Sequence, residues 1–169
     1  MTKIGLISDT HSHLDDKIIA FFEDVDEIWH VGDIGTWEVV DKLKAIKPFK
    51  AVYGNIDGSE FRQEFEAALM FTCENVNVVM THIGGYPGKY EKGIKQILTE
   101  NPVNLFISGH SHILKVIYDK KLDLLHINPG AAGMSGFHKV RTAIRFSIDK
   151  DKISNLQILE LERYPKVLK

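Results

Sequence analysis

The chain has 169 residues with 44% hydrophobic and 26% charged residues, which fits one globular domain with a proper core and excludes disordered and fibrous classes. Its net charge of −2 argues against bulk nucleic-acid binding, which goes with a basic excess. The single cysteine, Cys73, rules out an internal disulfide, and no run nears the roughly 20 apolar residues of a membrane span.

The first half alternates short apolar runs with helical patterns. Residues 4–7 read as a buried strand that stops at Ser8-Asp9-Thr10. Residues 14–23 carry apolar positions at helical spacing. Residues 27–31 form a second strand stopped by Gly32-Asp33, residues 37–46 a second helix closed by Pro48, and residues 49–53 a third strand stopped by Gly54-Asn55. Such a run implies parallel pairing with crossover helices, and ligands of such sheets gather at the carboxyl ends of the strands.

The second half reads as hairpins. Residues 69–73 and 76–81 flank Glu74-Asn75, residues 113–118 and 122–127 flank Asp119-Lys120-Lys121, and residues 141–148 and 153–161 form a third pair. Between them lie a helix over 90–99 and a strand over 104–108, stopped by Gly109-His110. Residues 84–88 and 128–136 are expected to be flexible loops. The reading over 1–169 is one α/β domain with a large mixed or two-sheet β-core. The short N-terminal apolar stretch, followed at once by an acid, does not suit a signal peptide, so a cytoplasmic protein is expected. Cys73, in the apolar 68–73 run, is expected to be buried.

The polar residues at these strand ends carry the functional information. Asp9 and His11 follow the first strand, Asp33 the second, Asn55 the third, His82 the 76–81 strand, and His110 and His112 the 104–108 strand. Each can bind a metal. Asp-x-His and His-x-His put alternate side chains on one face of an extended segment, so both members of a pair reach one place. Imidazole with carboxylate and amide oxygen, and no thiolate, favours Mn, Fe, Zn or Ni. Gly32, Gly54 and Gly109 keep bulk away from that place.

Asp9-Thr10-His11, Gly32-Asp33, Gly54-Asn55, Thr81-His82 and Gly109-His110-Ser111-His112 resemble the motifs of the calcineurin-like metallophosphoesterase superfamily, most of all its small YfcE-like phosphodiesterase branch. The resemblance implies a two-sheet β-sandwich flanked by helices. It implies that Asp9, His11, Asp33 and His112 hold one divalent ion, and that Asp33 bridges to a second held by Asn55, His82 and His110. Asp33, Asn55 and His82 are then the catalytic positions. Two ions at about +4, against two carboxylates and a bridging hydroxide at about −3, leave roughly +1 to attract a phosphate oxyanion. The hydroxide is expected to attack phosphorus in line with the leaving oxygen. Manganese is the expected metal, with Ni, Zn or Fe as alternatives, and a small phosphate ester the expected substrate. No membrane or nucleic-acid partner is expected.

One departure bears on mechanism. Larger relatives carry His after the Gly-Asn of the third motif, whereas Ile56 stands here, followed by Asp57. Protonation of the leaving group is therefore in question, and good leaving groups should be preferred. His30 and His126 are expected to be structural, His13 to line the cleft or the surface, and Asn128-Pro129-Gly130 to buttress the site. His138, in a Gly-rich loop, is a candidate for substrate contact. Tyr86, in the 84–88 loop, is a candidate lid residue. The competing functions are a phosphomonoesterase and a non-catalytic scaffold of the same fold, like the retromer subunit.

Overall fold

The computed structural model describes residues 1–164. The elements follow in the order β1 (Thr2–Ile7), α1 (Asp16–Phe21), β2 (Glu27–His30), α2 (Trp37–Ile46), β3 (Phe49–Ala51), α3 (Ser59–Glu64), β4 (Ala68–Cys73), β5 (Val76–Thr81), β6 (Gly85–Tyr86), β7 (Lys89–Tyr90), α4 (Lys92–Glu100), β8 (Leu105–Ile107), β9 (Leu114–Asp119), β10 (Leu124–Pro129), β11 (Val140–Asp149) and β12 (Lys152–Glu162).

Two five-stranded sheets result, ordered β12-β11-β1-β2-β3 and β4-β5-β8-β10-β9. In the first, β1, β2 and β3 run parallel while β11 and β12 are antiparallel. In the second, β5, β8 and β10 run parallel while β4 and β9 pair antiparallel at the two edges. Strand alternation explains how the sheets stack. Ile4, Leu6, Trp29 and Val31 of the first sheet pack against Val76, Val78, Met80, Leu105, Ile107 and Ile127 of the second.

Helices cover both outer faces. Ile7 and Ile28 point away from the sandwich interior toward Ile18, Val39, Val40, Leu43 and Phe61 of α1, α2 and α3. Gly5 lets this layer close down, because a Cβ there would sit 2.8 Å from the Phe22 ring. On the other face, Ile94 and Leu98, one helical turn apart on α4, bury against Val79, Phe106 and Leu124. The architecture is the helix-flanked two-sheet sandwich that the motifs imply.

The differences from the sequence reading are local. The first helix spans Asp16–Phe21 rather than residues 14–23, because the Asp15 carboxylate accepts from the Lys17 N–H and fixes the start one residue later. The 84–88 segment, read as a loop, forms half of the β6–β7 ribbon, in which Gly85 pairs with Tyr90. Helix α3 was not anticipated; it has six residues, of which Phe61 is the buried one. No helix among the described residues is long and apolar enough to cross a membrane.

Candidate metal centre

The parallel strands of both sheets end at one rim. The β1–α1 loop delivers Asp9 and His11, the β2–α2 loop Asp33, the β5–β6 loop His82, and the β8–β9 loop His110 and His112. Backbone hydrogen bonds lock these loops together: Asp9 N–H donates to Gly32 O, His11 N–H to Asp33 O, and Gly109 N–H to His82 O. Asp9, His11, Asp33, His110 and His112 all hold left-handed backbone, with φ between 44° and 69°. This conformation costs a non-glycine residue roughly 1–2 kcal/mol, so its concentration at one rim marks a place where packing enforces strain, as at functional sites.

The side chains converge in two groups, Asp9 with His11 and His112, and Asp33 with His82 and His110; within each, the ligand atoms lie within 4.8 Å of one another. His112 Nε2 is 3.1 Å from Asp9 Oδ1. His11 Nε2 and His82 Nε2 lie 3.4 Å and 3.2 Å from Asp33 Oδ2, and 3.9 Å and 3.8 Å from Asp9 Oδ1, so both imidazoles face both carboxylates. Asn55 is exposed at the rim, where it shares with His82, Tyr53 and Arg62 a cavity of about 270 Å³. Six of the seven expected positions thus fall into these two groups, and Asn55 borders the second.

One oxygen of each carboxylate is already spoken for. Asp9 Oδ2 accepts from the Ser8 hydroxyl at 2.6 Å and the His110 N–H at 3.2 Å. Asp33 Oδ1 accepts from the Ile56 N–H at 3.0 Å. The opposite oxygens face the imidazoles. His82 Nδ1 lies 2.7 Å from Val31 O, so that nitrogen carries the proton and Nε2 presents its lone pair.

Asp9 Oδ1, His11 Nε2 and His82 Nε2 are buried with no hydrogen-bond partner. Orphaned polar atoms cost about 1–3 kcal/mol each, and three at one rim, divided between the two groups, fit bound cations. Oxygen and imidazole donors without thiolate suit a divalent transition ion. Cys73 takes no part; it is buried on β4. Close approach here depends on Gly54, where a Cβ would sit 2.1 Å from Asp33 Oδ1.

The charges follow from these contacts. Burial opposes ionisation of Asp9, but the His112 imidazole 3.1 Å away, the nearby His82 and the Ser8 hydroxyl hold its carboxyl below the usual range. Burial also opposes ionisation of Asp33, and His11, His82 and the Ile56 N–H overcome it, so Asp33 is held far below. The Asp33 carboxylate 3.4 Å away raises His11. Burial pulls His82 down, yet Asp33 and Asp9 raise it. The two ionised carboxylates favour positive charge at this rim, whether a proton on these imidazoles or a metal ion in its place.

The remaining histidines divide. His30 is buried, accepts from the Gly32 N–H and lies 2.9 Å from Thr10 Oγ1, a structural role as expected. His126 is buried and stacked on Phe106, and His13 is exposed. Asn128 buttresses the rim, donating to Gly109 O and Ser111 Oγ. Tyr86 on β6 lies under the Lys115 ammonium, 3.6 Å from the ring centre. Asp57, next to Ile56, has a buried carboxylate that binds the loops of Asp33 and Asn55 together.

A probable metallophosphoesterase of Methanothermobacter thermautotrophicus is 29% identical over 133 residues, 76% of each chain. A phosphodiesterase of Methanocaldococcus jannaschii is 26% identical over 144 residues, 76% of this chain and 82% of that one. The crystal structure of Vps29 from Entamoeba histolytica complexed with zinc superposes with a TM-score of 0.74 at 14% identity, covering 96% of this chain and 99% of that one, a likeness of fold. The sequence model of the calcineurin-like phosphoesterase superfamily domain matches residues 2–151, and the chain belongs to that superfamily.

Proposed function

We propose that the chain is a phosphodiesterase of one domain that binds two divalent cations, one among Asp9, His11, Asp33 and His112 and the other among Asp33, Asn55, His82 and His110, with Asp33 shared. The observation that carries this reading is the convergence of Asp9 Oδ1, His11 Nε2 and His82 Nε2, buried and unpartnered, beside Asp33 Oδ2. Bound cations of this kind lower the pKa of a water and neutralise charge on the phosphoryl group. The protein's own part is to hold both carboxylates ionised and the imidazoles in the correct tautomer, on loops that cannot drift. The cavity beside Asn55 and His82 is open to the ester, with the Arg62 guanidinium on its wall to attract the anion. Ile56 offers no proton there, so substrates with stable leaving groups are favoured.

Manganese is the proposed metal, because mixed carboxylate and imidazole donors suit it and availability decides among similar ions. The buried, unpaired Cys73 suits a reducing cytoplasm. A relative bearing the name phosphodiesterase supports the diester reading. The fold likeness to Vps29 supports the second reading, a scaffold that binds metal without turnover.

One experiment separates them. The protein is stripped of metal, given back Mn, Ni, Zn or Mg, and offered bis-p-nitrophenyl phosphate and p-nitrophenyl phosphate. Mn-stimulated hydrolysis with the diester preferred is the expected result. Tight metal binding with neither ester cleaved would establish the scaffold, and a monoester preference would reassign the substrate class.

A further inference from the structure

The loop between β10 and β11 folds back over the β1–α1 loop. Ala132 N–H donates to Ser8 O and Gly133 N–H to Asp9 O. A Cβ on Gly133 would lie 2.1 Å from Thr10 O, so the two backbones are in close contact. The far end of the loop is held from the residue that follows β12: Arg163 Nε donates to Met134 O at 2.7 Å and its Nη1 to His138 O at 3.1 Å. This bracket sets His138 against His112, edge to face, with ring centres 5.0 Å apart.

The contacts between the rings define a direction. His138 Nε2 lies 2.8 Å from Gly133 O, which can only accept, so Nε2 carries the proton. With Nε2 donating, the second nitrogen of the imidazole, Nδ1, is the acceptor, and it lies 3.1 Å from His112 Nδ1. His112 Nδ1–H must donate to it. The lone pair of His112 is thereby assigned to Nε2, the atom that faces Asp9 Oδ1 at 3.1 Å. Gly136, with φ +123°, completes the fit; a Cβ there would strike His112 Nδ1 at 2.2 Å.

We propose that His138 is a positioning residue for the cation site of Asp9, His11 and His112: the carbonyl of Gly133 sets the tautomer of His138, which sets that of His112 and turns its Nε2 toward the metal. The inference rests on the two-cation reading above. Partners of this kind orient a ligating imidazole, and their loss typically weakens metal binding about tenfold to a hundredfold.

The test titrates metal-free wild type, His138→Phe and His138→Gln with Mn by calorimetry and follows their thermal unfolding. His138→Phe keeps a ring of similar size and removes the acceptor, whereas the amide oxygen of His138→Gln restores one. The expected result is two binding steps in wild type, of which one weakens about tenfold or more in His138→Phe and recovers in part in His138→Gln. The other step and the metal-free melting temperature stay near wild type. Unchanged affinities in His138→Phe overturn the proposal, as does an equal weakening of both steps with a lowered melting temperature. A wild type that binds no metal overturns the two-cation reading itself. Nitrogen-15 spectra of the zinc-loaded wild type test the tautomers without substitution. Protons on His112 Nδ1 and His138 Nε2 are expected, and the reverse assignment overturns the proposal.

Discussion

The Asp57 carboxylate accepts a 2.7 Å hydrogen bond from the Gly54 N–H, and it also takes the N–H groups of Ile34 and Gly35 at 3.2 and 3.0 Å. It ties the turn after β2 to the turn after β3, and so fixes Asp33 relative to Asn55. Removing this buried acceptor leaves three N–H groups unpaired. Asp57→Ala should therefore cost about 3 kcal/mol in urea unfolding and weaken metal binding at the Asp33 group. An unaltered urea midpoint would show that water replaces the carboxylate without loss.

Asp33→Asn keeps the shape of the side chain and the Ile56 N–H contact, but removes the charge that faces His11 and His82. Activity on bis-p-nitrophenyl phosphate should fall about a hundredfold or more, roughly 3 kcal/mol of barrier, with the circular dichroism spectrum unchanged. Wild-type rates in this variant would contradict the shared role of Asp33.

Ile56 is 47% exposed beside Asn55, so the position can accept a larger polar side chain without repacking the core. Ile56→His should raise turnover of alkyl diesters about tenfold or more while leaving aryl diesters little changed, because only the alkyl leaving group needs a proton. Equal effects on both substrate types would point to an electrostatic rather than an acid role.

Burial pulls the His30 imidazole down from 6.5 to about 4. As the pH falls below 6.5, the unfolded chain takes up the proton first. Stability from this group is complete above pH 6.5 and is lost as the pH falls through about 4, a total of about 3 kcal/mol. His126, also pulled down to about 4 by burial, adds a parallel loss. Urea midpoints of the metal-free protein between pH 7 and pH 4 should show this decline, and His30→Gln should flatten it by about half. An equally steep decline in His30→Gln would assign the acid sensitivity elsewhere.

The sandwich strands were legible because apolar runs such as Ile4–Ile7 and Val76–Thr81 stop abruptly at polar turns. The candidate metal residues were legible for the same reason: each follows a run. That the strands divide between two sheets came from the resemblance to the superfamily, since periodicity alone does not say which strands share a sheet. Helix α3 leaves no periodic trace in the sequence, because it has six residues and one buried side chain, Phe61. His138 was visible as a loop histidine, but its role was not. It lies 26 positions from His112, and only the folded loop brings the two rings together.

Each candidate ion group draws from both sheets. Asp9 and His11 follow β1 of one, and His112 follows β8 of the other; Asp33 follows β2, and His82 and His110 follow strands of the opposite layer. A cation held there would act as a rivet through the sandwich. Chelation would then do more than end turnover. It would let the layers part at one rim first, and amide exchange near Ser8, Ile34 and Gly109 should quicken before it does in the rest of the protein.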